Sequence, residues 1–276
     1  MSEAENTAPG QPLQMASLQM IATPNLDRNL DIAQRLIGEA ARQGAQLVLL
    51  PEYFCLMGQR DSDKLGIAEP FGQGPIQEFL ADQAMVRNVH IVAGTLPLVS
   101  GVDGRVFNSS LVFNPDGQCT ARYDKIHLFC FNKGQESYDE AKVLVAGSKP
   151  VVANVAGFKV GLSVCYDLRF PELYRAMGKV DLIMMPAAFT YTTGRAHWEL
   201  LNRARAVENQ CYVLACGQGG LHENGRRTYG HSMVVNPWGE IENVLEEGEG
   251  VVMGKLDPAK INDVRNSLPA LSHRVL

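Results

Sequence analysis

The sequence predicts an α/β fold, a four-layer α-β-β-α sandwich made of two internally repeated α-β-β halves, and three observations carry that prediction. Apolar runs of strand length alternate with segments of helical periodicity, which is the pattern of helices laid on sheets. A hairpin pattern interrupts the alternation, so the sheets are not purely parallel. Finally, R-V-F-N-S-S-L-V-F-N-P-D-G-Q from Arg105 aligns without gaps on R-T-Y-G-H-S-M-V-V-N-P-W-G-E from Arg227. Matched positions include Ser110 with Ser232, Val112 with Val234, and Asn114-Pro115 with Asn236-Pro237. A solenoid needs three or more copies, so two copies point to two sheets packed face to face with helices outside.

The elements follow in order. The opening M-S-E-A-E-N-T-A-P-G-Q-P is polar and acidic, without the basic and apolar regions of a secretory leader. It reads as a disordered tail over 1–11 on a cytoplasmic protein, followed by one domain over 12–276. Strands are expected at 15–20 and 45–50, flanking a helix over 27–43 where Leu26, Leu30, Ala33, Ile37 and Ala41 recur at intervals of three and four. A second helix over 76–88 leads into the strand H-I-V-A-G-T. The hairpin that follows turns at 114–117, where Pro115 and Gly117 supply the turn geometry. The second half resumes with a buried strand at 160–164 and a helix opening at 171–177 with Pro171 in its first turn. Its next strand, V-D-L-I-M-M-P-A-A-F, resembles A-Q-L-V-L-L-P-E-Y-F of the first half and places Pro186 over Pro51.

Composition excludes several functions. The 276 residues are 46% hydrophobic and 20% charged with a net charge of −5, and no lysine or arginine run offers a footprint for nucleic acid. No apolar run approaches the ~18 residues of a membrane span. Six cysteines without a C-x-x-C pair indicate reduced thiols rather than a disulfide framework. His127 and Cys130 stand three apart, but no second pair stands at ligand spacing, so neither a metal nor another cofactor is expected.

The repeat works as a control for the chemistry. Pro51-Glu52-Tyr53-Phe54 in the first half matches Pro186-Ala187-Ala188-Phe189 in the second, so the fold does not require a carboxylate at Glu52. A glutamate beside a core costs several kcal/mol unless it is paired, which favours a functional Glu52 over a solvated one. Lys125 in Y-D-K-I-H-L-F follows the hairpin strand, and Cys165 in V-G-L-S-V-C-Y-D-L-R-F-P-E-L closes an apolar one. Strand ends of this kind converge in a stacked sandwich. A carboxylate can then take the thiol proton, the thiolate can attack a carbonyl, and a fixed ammonium can hold the developing oxyanion. His197 and His231 are alternative bases for a cysteine hydrolase, but both read as packing or hydrogen-bonded residues. Trp198 reads as a core or interface residue.

The three blocks P-E-Y-F, Y-D-K-I-H-L-F and V-C-Y-D-L-R-F-P-E-L, in that order, resemble those of the nitrilase superfamily of carbon-nitrogen hydrolases, over nearly the whole chain from about Leu13. The resemblance implies the α-β-β-α sandwich, with Glu52 as general base, Lys125 as transition-state stabiliser and Cys165 as nucleophile. T-G-R-A-H-W-E-L-L-N-R-A-R-A-V-E-N-Q-C-Y-V and Y-G-H-S-M-V-V-N-P-W-G-E are similar to the branch of small amidases containing ω-amidase and deaminated glutathione amidase. G-Q-G-G-L-H-E-N-G-R-R-T-Y-G-H-S-M is closer to the latter. The branch implies hydrolysis of a terminal primary amide on a small carboxylate-bearing substrate, releasing ammonia, through a Cys thioester. Deaminated glutathione is the substrate this implies, and an ω-amidase acting on α-ketoglutaramate, a nitrilase proper and a catalytically idle scaffold of the same fold stand as alternatives. The family's second glutamate matches Glu140, with Glu136 as a competitor in a region where Ala146 replaces the usual proline. Arg169, Tyr166 and Phe189 are candidate substrate-binding residues, Arg169 either meeting a substrate carboxylate or pairing with Glu172. An apolar face on the helix carrying Trp198 would suit the homodimer that the resemblance implies.

Overall fold

A computed structural model describes residues 10–134 and 136–275. Most of the tail expected over 1–11 lies outside the described residues, and the chain enters its first strand at Leu13. In chain order the strands are β1 (Leu13–Gln19), β2 (Leu47–Leu49), β3 (His90–Val92), β4 (Leu96–Val99), β5 (Val106–Phe113), β6 (Cys119–Asp124), β7 (Cys130–Lys133) and β8 (Glu136–Asp139). They continue as β9 (Leu144–Val145), β10 (Val151–Val155), β11 (Phe158–Leu162), β12 (Leu182–Ala187), β13 (Tyr212–Gly217), β14 (Ser232–Val235), β15 (Ile241–Leu245) and β16 (Gly250–Leu256). The helices are α1 (Leu26–Arg42), α2 (Pro75–Arg87), α3 (Pro171–Ala176), α4 (Tyr191–Asn209) and α5 (Pro258–Ser267).

The duplication read from the sequence is visible in the pairing. In one sheet β1, β2 and β3 run parallel, β5 then pairs antiparallel with β3, and β6 with β5. In the other, β11, β12 and β13 run parallel, followed by antiparallel β14 and β15. Each sheet begins with an antiparallel partner, β16 beside β1 and β10 beside β11. The chain's C-terminal strand therefore closes the first sheet, a long-range pairing that no local pattern announces.

Side-chain alternation sorts the layers, because successive residues of a strand point to opposite faces. Met15, Leu49, Val92 and Val112 share one buried cluster with Leu182, Leu214 and Val234 of the opposite sheet and with Trp198 of α4. Their neighbours Ala16, Val48, Leu50, Ile91 and Leu111 pack instead with Ala33, Leu36 and Ile37 of α1 and with Ile76 and Leu80 of α2. The sheets meet most closely where β1 crosses β13. There Ser17 Oγ donates to the Ala215 carbonyl at 2.9 Å, and Cys216 Sγ donates to that of Leu18 at 3.2 Å. The turns that leave β2, β11 and β12 are thereby held at one end of the sandwich. No helix among the described residues is long and apolar enough to cross a membrane.

Candidate active site

Glu52 stands in the turn after β2, and its position is fixed by a close backbone approach. Gly94 has φ +56°, and a Cβ there would fall 2.1 Å from the Pro51 carbonyl oxygen, so only glycine fits without displacing the turn. The Glu52 side chain is 1% exposed. Its Oε1 accepts from Lys125 Nζ and from Asn108 Nδ2, each at 2.9 Å, and its Oε2 accepts from the Ala188 backbone N–H at 2.9 Å. Every partner comes from a different segment, and Ala188 belongs to the repeat turn of the second half. A buried carboxylate is tolerated only when it is paired in this way.

Lys125 follows β6 and is fully buried. Its backbone carbonyl accepts from Gly147 N–H at 2.9 Å, and a Cβ on Gly147 would lie 2.0 Å from the Asp124 carbonyl oxygen. Nζ donates to Glu52 at 2.9 Å and to both oxygens of Glu140 at 2.9 and 2.8 Å. Burial pulls the Lys125 ammonium down, but the Glu140 and Glu52 carboxylates outweigh it and hold the group well above the ordinary lysine range. Burial pushes Glu140 up, yet Lys125 and the Phe129 N–H at 2.7 Å bring it below the ordinary carboxylate range. Glu140 also accepts from Tyr53 Oη at 2.8 Å. The rival Glu136 lies on β8, and its side chain is outside the described set.

Cys165 stands beyond the end of β11 and opens a 3-10 helix over Cys165–Arg169. It is 7% exposed and has φ +50°, a left-handed conformation that costs a non-glycine residue of order 1–3 kcal/mol and persists only when its surroundings enforce it. Asp167 supplies the enforcement. Its buried carboxylate accepts from Val164 N–H at 2.9 Å and Tyr123 Oη at 2.7 Å, and from His127 N–H at 3.0 Å, with His127 Nδ1 at 2.7 Å. The thiol is held well above the ordinary cysteine range, by burial first and then by the Glu52 charge, which Lys125 opposes. It rests as S–H beside a carboxylate, ready to lose its proton there.

Sequence reading missed Asp167, Tyr53 and Asn108. Asp167, two residues after Cys165, carried a usable signal, because aspartate commonly accepts from the backbone of a tight turn. Tyr53 and Asn108 carried none, since their roles depend on a left-handed φ of +58° and on a partner across the sheet.

The site opens into a cleft of about 680 Å³, open solvent at its mouth included, lined by Glu52, Glu140, Cys165, Tyr166, Arg169 and Phe189, and also by Arg226 and Arg227. Arg169 forms no ion pair with Glu172. Its guanidinium lies 5.7 Å from the Tyr166 ring centroid and 5.4 Å from that of Phe189, with Nη1 3.2 Å from His197 Nδ1. It is a cation held between aromatic faces without a carboxylate partner among the described residues. His231 stacks on Tyr229 at 3.9 Å. Trp198 is a core residue whose Nε1 donates to the His231 carbonyl. His127 turns its Nδ1 to Asp167, while the exposed Cys130 sits opposite Asp139 in the β7–β8 hairpin.

Comparison with known proteins identifies the family. Residues 14–266 match the carbon-nitrogen hydrolase family. The chain is 42% identical over 270 residues, covering 96% of it and 98% of the relative, to the deaminated glutathione amidase of Synechocystis sp. (strain PCC 6803 / GT-S). The crystal structure of Saccharomyces cerevisiae Nit3, a member of branch 10 of the nitrilase superfamily, superimposes with a TM-score of 0.86 at 30% identity, covering 97% of this chain and 98% of that one. A glutamate-to-glutamine mutant of the amidase from Nesterenkonia sp. AN1, with the acetamide moiety of fluoroacetamide added covalently at its active-site cysteine, superimposes with a TM-score of 0.78 at 26% identity, covering 95% and 94%.

Proposed function

The chain belongs to the carbon-nitrogen hydrolase family and is an amidase, and from that premise we propose that Glu52, Lys125 and Cys165 cleave the side-chain amide of deaminated glutathione through a thioester. The observation that carries the proposal is the buried contact of Lys125 Nζ with Glu52 and Glu140 beside the Cys165 thiol, in a cleft whose Arg169 has no carboxylate partner among the described residues. Glu52 takes the thiol proton as Sγ attacks the amide carbonyl. Lys125 donates to the oxyanion, a group worth about 3 kcal/mol in comparable sites. Glu52 returns the proton to the departing nitrogen, the C–N bond breaks and the acyl group stays on sulfur. Water then enters, Glu52 takes its proton, hydroxide adds to the thioester, and collapse releases the acid and a thiol reprotonated from Glu52. Glu140, kept ionised, holds Lys125 charged throughout. Arg169 takes the carboxylate of the acyl portion, with Tyr166 and Phe189 as walls.

The leaving group refines the sequence expectation. Ammonia is the product from a primary amide such as α-ketoglutaramate, but the amide of deaminated glutathione joins the oxo acid to cysteinylglycine, so a dipeptide amine leaves. The exposed Leu200 and Val207 of α4, with the exposed Trp238 next to Gly239, whose carbonyl accepts from Arg203 of the same helix, support self-association as a homodimer. A substrate panel tests the reading. Cysteinylglycine release from deaminated glutathione should exceed ammonia release from α-ketoglutaramate and acid formation from simple nitriles. The opposite order transfers the activity to the ω-amidase or nitrilase reaction, and absence of all three with no acyl adduct on Cys165 marks an idle scaffold.

A further inference from the structure

Charge along the cleft is unevenly compensated. Glu52 and Glu140 are answered by Lys125, and Asp61 by Arg226 at 2.6 Å. Arg227 differs from these. Its Nη2 reaches Glu247 at 2.8 Å, but the two side chains are 49% and 52% exposed, and so open a pair contributes about 0–1 kcal/mol. A carboxylate entering the cleft can displace Glu247 at little cost. The guanidinium is nonetheless well placed, lying 3.9 Å from the Tyr191 ring centroid. Its own carbonyl accepts from Tyr191 N–H at 3.0 Å, and a bridge between Thr190 and Thr228 ties the same loop to the start of α4. Arg169 comes from the 3-10 helix that Cys165 opens, Arg227 from the loop between β13 and β14, and both line the cleft that contains the thiol.

We propose that Arg227 forms a second carboxylate subsite of this cleft, which takes the C-terminal carboxylate of a peptide leaving group. The proposal rests on the amidase reading above and extends it from the acyl side of the scissile amide to the amine side. A substrate with a carboxylate at each end is then held at Arg169 and Arg227 with its amide over Cys165. A short primary amide has no group to place at Arg227. Arg227 therefore selects peptide-like amides over simple ones, and it acts on binding rather than on the chemical step.

The test pairs an enzyme change with a substrate change. Steady-state kinetics are measured for the wild-type protein and Arg227→Gln on deaminated glutathione and on its C-terminal carboxamide, which lacks only the distal charge. A charge-assisted hydrogen bond to so exposed a guanidinium predicts that the wild type prefers the acid by roughly two- to fivefold in kcat/KM. Arg227→Gln should erase that preference by raising KM for the acid, with kcat changed less than about twofold, and Arg227→Lys should restore part of it. Equal losses on acid and carboxamide, or a wild type that does not distinguish them, overturn the subsite while leaving the amidase reading intact. A wild type that hydrolyses neither, yet releases ammonia from α-ketoglutaramate, removes the deaminated glutathione reading and the subsite with it.

Discussion

Asp167→Asn gives the sharpest test of how the candidate nucleophile is held. The native carboxylate accepts from Val164 N–H and Tyr123 Oη on one oxygen and from the two His127 nitrogens on the other. Asparagine keeps one acceptor oxygen and replaces the other by a donor. If the oxygen stays on His127, the new NH2 faces Val164 N–H, and the Tyr123 hydroxyl can turn to accept from it. Val164 N–H is then buried without a partner, at a cost of about 1–3 kcal/mol. For a chain of this size each kcal/mol lowers Tm by roughly 2–4 °C, so a fall of about 2–12 °C is expected. Activity should fall further than stability. The lost bond lies one residue before Cys165 and braces its positive φ, and a misplacement of ~1 Å in a reacting group costs about 100-fold. The assay is single-turnover acylation at saturating substrate, with iodoacetamide labelling of Cys165 and thermal unfolding in parallel. Tyr123→Phe, which removes a donor but leaves Val164 paired, should retain most of the acylation rate. A variant that loses Tm but acylates and labels at the native rate would show that Asp167 serves the fold alone.

The other predictions concern the buried charges and the thiols. Glu52→Gln should lower kcat at least ~100-fold, the usual contribution of a general base, with the fold intact because Ala187 stands in its place in the other half; near-normal turnover removes Glu52 from the mechanism. Lys125→Met should depress kcat more than substrate affinity and cost about 3–5 kcal/mol, because Glu52 and Glu140 are left buried without their cation. In the wild type, Glu140 lies below its unfolded value, so its stabilisation is present above the unfolded carboxylate range and lost as pH falls through the folded value. In Lys125→Met the buried Glu140 loses its cation and gains by protonation, so stability should rise on mild acidification, and chemical unfolding at pH 5 and pH 7 reads the sign. Iodoacetamide should reach the exposed Cys119 and Cys130 without loss of activity, while Cys55, Cys211 and Cys216, pushed up to about 12 by burial, resist it. Loss of activity should track Cys165 alone and be slowed by substrate, and peptide mass spectrometry that ties inactivation to another cysteine would reassign the nucleophile.

Local signals were legible where one element decides the outcome. The apolar spacing of α1, the proline that starts α3 and the turn after β5 all depend on neighbouring residues, and their boundaries in the structure lie within a few residues of the pattern. Legibility fails where the partner is distant in sequence. The pairing of β1 with β16 joins the two ends of the domain, and the β7–β8 hairpin carries no alternation that separates it from a loop. The same division runs through the site. Glu52, Lys125 and Cys165 stand at the ends of readable elements, whereas Asn108, Tyr53 and Ala188 matter only through atoms they place against another segment.

The duplication explains why Glu52 stood out in the sequence. Leu47 pairs with Met15 in the first half as Leu182 pairs with Val160 in the second, so the two parallel cores share one register. In that register Ala187 corresponds to Glu52, and Met20 to Cys165. By the gap-free repeat Gly230 corresponds to Asn108. One half thus supplies the carboxylate and the other the thiol, each at a position where its twin carries an ordinary side chain. The twin is not idle, since the turn that would hold a second glutamate instead presents the Ala188 N–H to Glu52 at 2.9 Å. Placing a glutamate at Ala187 would put a second carboxylate on the turn that now donates to the first, with no lysine at hand to match it. Packing alone would allow both halves to stay alike, and the proposed chemistry requires them to differ at these positions, so residues that break the repeat beside an apolar strand end are where function is to be sought in such a chain.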